Sequence, residues 1–389
     1  MSPRVQEPAF HPDVVVVGAG LVGAACAAEL ALGGAEVLVV DSHHAGGGTT
    51  AAGMGHLVAM DDSPAQLALC RFSQLLWKEL LRELPATAEY DPCGTLWVAA
   101  DDEEMAAVAG KIEIYREAGI PAEILDAAAL REAEPQLRPG LAGGLRVPED
   151  GVVYPPVVVD CLLARARRAA KSRGKKFALV TGQRVEKIGR GEVTLADGSK
   201  ISSSFVVDAA GIAALEILPG PVAGAAILPR KGHLVITERA PGFVRHQLVE
   251  LGYLKSAHGS AADSVAFNLQ PRATGQVLIG SSRQFGRRDA EVEPAMIARM
   301  LERAFSFTPA LRKVPVLRAW TGLRPACPDH LPLIGPLTEY PEILLAAGHE
   351  GLGITTSLGT ARLIADAIFG LPSAIDPKPY LPERAGHGH

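Results

Sequence analysis

The chain has 389 residues, 48% of them hydrophobic, which suffices for two domains or one interleaved pair at roughly 150 residues each. Its formal charge is −5, from 38 basic and 43 acidic side chains without a long basic run, which argues against nucleic acid as a partner. The five cysteines (Cys26, Cys70, Cys93, Cys161, Cys327) are scattered and form no CxxC pair, so no disulfide framework or metal site is expected and the chain reads as cytoplasmic.

Val14-Val15-Val16-Val17 is a β-branched run ending at a glycine loop, as in a fully buried parallel strand. Leu21–Leu32 reads as an alanine-rich helix stopped by Gly33-Gly34, and 36–40 as a second buried strand. Together they predict one right-handed βαβ unit. The stretch 14–35 carries a single charge, Glu29, and could pass for a signal peptide or membrane span. It lacks a basic leader, since Glu7 and Asp13 offset Arg4, and its glycines suit a lipid-facing helix poorly. A soluble strand and helix is the better reading.

Small residues dominate 45–55. Helices are predicted at about 63–84 and 102–118, with a strand near 95–100 between them. After a turn at Asp150-Gly151, Tyr154-Pro155-Pro156 opens a helix that turns basic at its end. Short strands follow near 185–188, 192–195 and 205–207. From about 221 to 319 the pattern alternates, with strand-like segments at 233–237, 264–269 and 276–279. The chain then returns with a buried strand at 343–347, a glycine turn and a last helix at 357–369. The predicted architecture is α/β: a Rossmann-type dinucleotide domain (13–90, 150–220 and 320–372) with an inserted α+β substrate domain on a mostly antiparallel sheet (91–149 and 221–319). A tail of 373–389 follows.

Gly18-Ala19-Gly20-Leu21-Val22-Gly23 is GxGxxG between a predicted strand and helix. Its glycines permit a tight turn, a close approach of backbone to a pyrophosphate, and close strand–helix packing. The helix N-terminus offers N–H groups to phosphate. Asp41 stands 23 residues after Gly18, where a carboxylate can accept from ribose hydroxyls and would repel a 2′-phosphate. This loop alone does not separate NAD from FAD. Gly46-Gly47-Gly48-Thr49-Thr50-Ala51-Ala52-Gly53-Met54 can run along a pyrophosphate and flavin edge, with Thr49 and Thr50 donating hydroxyls; as a bare loop it would be a linker. Val206-Val207-Asp208-Ala209-Ala210-Gly211 ends in residues small enough to pass close under a cofactor. In Gly348-His349-Glu350-Gly351-Leu352-Gly353-Ile354-Thr355, backbone N–H groups can face the N1/C2 carbonyl edge of a flavin.

These four pieces, in this order, resemble the D-amino acid oxidase (DAO) superfamily of flavoproteins, which includes glycine and sarcosine oxidases and D-amino acid dehydrogenases. Further matches are Asp150-Gly151 with Tyr154-Pro155, Lys231-Gly232-His233, Ile279-Gly280, and Gly322-Leu323-Arg324-Pro325 with Pro328-Asp329 and Pro332-Leu333-Ile334-Gly335. The similarity covers essentially residues 13–370. It implies non-covalent FAD and oxidation of a C–N bond by hydride transfer to flavin N5. The cofactor set it implies is Gly18 to Gly23, Asp41, Ser42, Gly48, Thr49, Thr50, Ala52, Gly53, Met54, Val185, Ala209, Ala210, Gly211, Gly322, Arg324, Gly348, His349, and Gly351 to Thr355. By the same resemblance Arg324 grips the substrate carboxylate, as a planar guanidinium can. An Arg324–Asp329 ion pair is the structural alternative, and Arg230 and Arg283 are weaker candidates for the clamp. His56 and His349 are candidate active-site contacts, and Tyr253 a candidate pocket wall. Cys327 is not expected to align with the cysteine through which some sarcosine oxidases hold flavin.

The segment 52–63 is similar to enzymes handling D-hydroxyproline or opines. The expected substrate is therefore a small D-amino or cyclic imino acid, D-hydroxyproline or D-proline first, with oxygen or another carrier as electron acceptor. A glycine- or sarcosine-type N-alkyl-glycine oxidase, a flavin subunit of a larger complex, and a nicotinamide dehydrogenase are the alternatives. A homo-oligomer or partner subunit is possible on this reading.

Overall fold

The computed structural model describes residues 11–252 and 263–386. Its first layer is a six-stranded sheet ordered Leu333–Pro336, Ile343–Ala347, Phe205–Asp208, Val14–Val17, Val37–Val40 and Phe177–Val180. All neighbours are parallel except the first pair. The four valines of Val14–Val17 are at most 5% exposed, as a strand covered on both faces requires. The supposed membrane-length stretch thus divides into this strand and the helix Leu21–Leu32. No helix among the described residues is long and apolar enough to cross a membrane.

Helices Leu21–Leu32, Pro155–Ser172 and Ser357–Phe369 pack on one face of this sheet. Buried Ala24, Ala25, Ala27, Ala28 and Ala31 let the first of them lie close to its neighbours. On the other face, Val15, Val17, Leu38 and Val40 meet Val185, Ile188, Val193 and Ile201 of a three-stranded antiparallel sheet.

The second layer is an eight-stranded sheet ordered Val316–Ala326, Leu228–Thr237, Val277–Phe285, Ser264–Pro271, Gln247–Glu250, Thr95–Ala99, Gly143–Val147 and Glu123–Asp126. It is antiparallel throughout except where Gln247–Glu250 runs beside Thr95–Ala99. The α/β architecture is as expected, with differences in detail. Pro294–Phe307 is a helix, where only strand-like segments were expected; it seats Met296, Met300, Ala304 and Phe307. The segment 45–55 is partly wound into the short helix Gly48–Ala52. The boundary expected at 320 falls inside the strand Val316–Ala326, whose whole length pairs with Leu228–Thr237.

Candidate active site

The glycine loop takes its shape from what surrounds it. Gly18 has φ +102°, and a Cβ there would run into the Ala209 carbonyl. A Cβ on Gly23 would strike the carbonyl of Gly18, so the first and third glycines close the turn on itself. Gly20 caps the helix without a side-chain bond, and Leu21 N donates to Thr50 Oγ1 at 3.0 Å. Asp41, at the end of the second strand, accepts from Ala19 N on Oδ2 and from His43 N on Oδ1, both at 2.7 Å. Loop and acid are therefore one rigid unit.

A cavity of about 820 Å³ opens beside this unit. It runs from Asp41, Gln183 and Val185 past Thr49, Thr50 and Ala52 to Arg324 on the second sheet. That size is in the usual range for small-molecule and cofactor sites. The short helix Gly48–Ala52 forms one wall and is tied to the strand that carries Arg324. Thr49 Oγ1 donates to Leu323 O (2.7 Å), Trp320 Nε1 donates to Ala52 O (3.3 Å), and a Cβ on Gly322 would lie 2.6 Å from the Ala52 methyl.

The wall takes in the expected cofactor residues apart from Ala19, Gly23, Gly348, Leu352 and Thr355. Ala19 is buried and holds Asp41. Gly23 sits under the loop, and Gly348 packs against the Cys327 sulfur, where a Cβ would collide. Leu352 packs into the cluster of Val58 and Trp97. Thr355 ties two chain segments, donating to His56 O and accepting from Val58 N, each at 3.0 Å. The wall also includes Gln183, Arg184, Gly232, Leu234, Asn268 and Ser281, none of them expected. Tyr253 lies outside the described residues.

Arg324 donates from Nη1 to Ser282 O at 3.0 Å. Its guanidinium lies flat across Gly232 of the neighbouring strand, where any Cβ would collide with it. The alternative pairing with Asp329 is not formed, because Asp329 bonds Arg384 at 3.0 and 3.2 Å. Arg230 is instead paired with Glu350, and Arg283 Nε stands 4.0 Å from the same carboxylate. Burial alone would raise the Glu350 carboxyl, but the His330 hydrogen bond and the charges of Arg230 and Arg283 hold it at about 2.

His56 lines the cavity. Burial lowers its imidazole to about 4, against the pull of the Gln270 side chain and with a further push from the Arg324 charge. His349 also touches the wall, but its Nε2 is bonded to Thr360 Oγ1 at 2.9 Å and burial lowers it to about 3. Both rings are neutral at physiological pH. Asp208, wholly buried beneath the loop, accepts from Ala210 N at 3.0 Å, and burial raises its carboxyl to about 8.

A parallel sheet bearing a GxGxxG loop, and a cavity reaching from it to an arginine on a second sheet, define a dinucleotide-dependent oxidoreductase. The family model of FAD dependent oxidoreductases (DAO) matches residues 13–367, and the chain belongs to this family. FAD is its cofactor. Glycine oxidase of Pseudomonas putida is 28% identical over 95% of this chain and 98% of that protein. D-amino acid dehydrogenase of Rhizorhabdus wittichii is 29% identical over 79% of this chain and 71% of that one. The solved glycine oxidase of Geobacillus kaustophilus superposes with a TM-score of 0.82 at 27% identity, covering 95% of this chain and 98% of the other.

Proposed function

We propose that the chain oxidises the C–N bond of a small D-amino or cyclic imino acid, with D-proline and D-hydroxyproline first among substrates. The observation that carries this reading is Arg324 on the wall of the cavity that begins at the glycine loop. A guanidinium is always charged and matches a carboxylate with two parallel hydrogen bonds. Gly232 makes room for the guanidinium, and Gly322 and Gly351 line the cavity with it.

When bound, FAD supplies the hydride acceptor at flavin N5. The residues suited to hold it are the loop 18–23 for the pyrophosphate, Asp41 for the adenosine ribose and 48–54 along the flavin edge. Gly351, Gly353 and Ile354 would offer backbone N–H groups to its N1/C2 carbonyl edge. Gly48 and Gly211 line the cavity where a Cβ would meet no protein atom and would take up open space, which supports this fit. Buried Cys327, absent from the cavity wall, supports a non-covalent cofactor. Arg324 fixes the carboxylate, and neutral His56 and Asn268 give the pocket polar contacts. The substrate's ammonium needs only to lose one proton, giving the neutral amine, before hydride leaves, so no strong base is required.

We divide the chain into a cofactor domain (13–90, 150–220 and from the end of strand Val316–Ala326 to 372) and a substrate domain made of the rest of 91–326. The free cysteines suit a cytoplasmic location. A second reading, a glycine or N-alkyl-glycine oxidase, is favoured by the glycine oxidase relatives. Steady-state turnover of D-proline, D-hydroxyproline, glycine and sarcosine, with oxygen and with a dye as acceptor, separates the two. A higher kcat/KM for glycine or sarcosine than for both cyclic substrates overturns the first.

A further inference from the structure

Arg230 and Arg324 stand directly opposite each other where Leu228–Thr237 pairs with Val316–Ala326. Opposite residues on paired strands share a face of the sheet, and like charges placed so are unfavourable. Gly232, two residues along from Arg230, lines the cavity with Arg324. Both guanidiniums therefore rise from the cavity face, and a nearby negative charge is needed to offset them.

Glu350 supplies that charge. Its carboxylate pairs with Arg230, is bonded by His330 Nδ1 at 3.2 Å and stands 4.0 Å from Arg283 Nε. Its backbone N–H donates to the carbonyl of Pro325, the neighbour of Arg324, at 2.7 Å, and the residue lines the cavity. Glu350 and His330 are also two of the three non-glycine residues with left-handed backbone among the described residues, at φ 49° and 62°. Such backbone is unfavourable for any residue larger than glycine and persists only where surrounding contacts hold it. Two strained residues, bonded to each other, thus bring one carboxylate to Arg230.

We propose that Glu350 is a specificity-determining residue: it occupies, as a resident carboxylate, the place beside Arg324 that the second carboxylate of a dicarboxylic substrate would take. The enzyme is thereby restricted to amino or imino acids with a single carboxylate. This rests on the reading that Arg324 takes that carboxylate. With Arg230 already matched, a second ligand carboxylate would lie against Glu350 and be repelled, whereas a neutral group would not. A primary amide has nearly the shape of a carboxylate without its charge, so it separates repulsion from crowding.

The test titrates the FAD-loaded protein and reads binding by perturbation of the flavin absorbance. Succinate is compared with succinamate, and glutarate with glutaramate; none of the four carries an amine to oxidise. The wild type should bind each amide more tightly than its dicarboxylate, by about tenfold. Glu350→Gln leaves Arg230 without its counter-charge and should reverse that order for at least one of the two lengths. Arg230→Gln/Glu350→Gln removes the repelling and the attracting charge together, so dicarboxylate and amide should bind within about threefold of each other. This double variant leaves no buried charge of the pair alone and serves if Glu350→Gln does not fold. A wild type that binds either dicarboxylate as tightly as its amide overturns the proposal. So does Glu350→Gln still favouring the amide at both lengths, or a double variant that keeps the wild-type preference. The reading beneath it fails separately, if Arg324→Ala leaves the affinity for succinamate and glutaramate intact.

Discussion

Ala19 and Asp41 are joined at the mouth of the cavity: the Ala19 N–H donates to Asp41 Oδ2 at 2.7 Å. The acid that would receive the adenosine ribose is thus also a brace for the glycine loop, with its other oxygen held by His43 N.

Asp41→Ala should therefore weaken FAD retention by more than the loss of the ribose contact alone. Hydrogen bonds to a charged acceptor contribute about 1.5–3 kcal/mol each, so FAD affinity should drop by at least tenfold. Flavin occupancy after dialysis against low FAD measures this. Occupancy equal to wild type would remove Asp41 from the cofactor site.

Arg324→Ala should keep its yellow colour while kcat/KM toward amino or imino acids falls on the order of 10²–10⁴, because a bidentate, partly desolvated charge pair is lost. Arg324→Lys should recover only part of it. Gly232→Ala should mimic the loss without touching the arginine itself, since the new methyl displaces the guanidinium. Near-normal kcat/KM in Gly232→Ala with bound flavin would show that Arg324 need not lie flat on that strand.

Burial raises the Asp208 carboxyl to about 8. In the unfolded chain it would ionise near 3.9, so between these values the folded state holds a proton that the unfolded state has released. Its contribution to stability is complete below about pH 4 and is lost as pH rises through about 8. Asp208→Asn removes this titration. The thermal midpoint of wild type minus that of Asp208→Asn should fall steadily from pH 5 to pH 8. A flat difference would mean that Asp208 is ionised in the fold.

Lys111 and Asp61 form an ion pair with side chains only 5% and 7% exposed, and the ammonium stands 4.5 Å from the Trp97 ring centre. Lys111→Met would strand a buried carboxylate and should destabilise by about 3–5 kcal/mol, whereas replacing both partners by apolar residues should cost far less. Chemical denaturation of the single and double variants tests the difference. Equal losses in the two would point to packing of the lysine stem instead.

The cofactor half was legible because its signals are local. Valines at 14–17, glycines at 18, 20 and 23 and an acid at 41 act within one βαβ unit, and periodicity plus turn chemistry locate them. Phe177–Val180 was missed because, as the sheet's edge strand, it is only half-buried and carries no strong pattern. The helix Pro294–Phe307 was missed although Met296, Met300, Ala304 and Phe307 fall at helical spacing; the alternating segments around it masked that signal. Gln183, Asn268 and Ser281 reach the cavity only through pairing of strands far apart in the chain, which no local pattern reveals. Arg230 was a weaker candidate than Arg324 in sequence, but a candidate still. Glu350, 120 residues away, takes Arg230 and makes them different.

The bonds from Thr49 to Leu323 and from Trp320 to Ala52 place a wall of the cavity and Arg324, the arginine proposed to take the carboxylate, on one mechanical unit. Thermodynamic reciprocity then applies. Whatever factor FAD contributes to the affinity for a carboxylate ligand, that ligand must return to the affinity for FAD. If that factor exceeds one, the enzyme holds its cofactor most firmly while substrate is abundant and sheds it most readily when substrate is scarce.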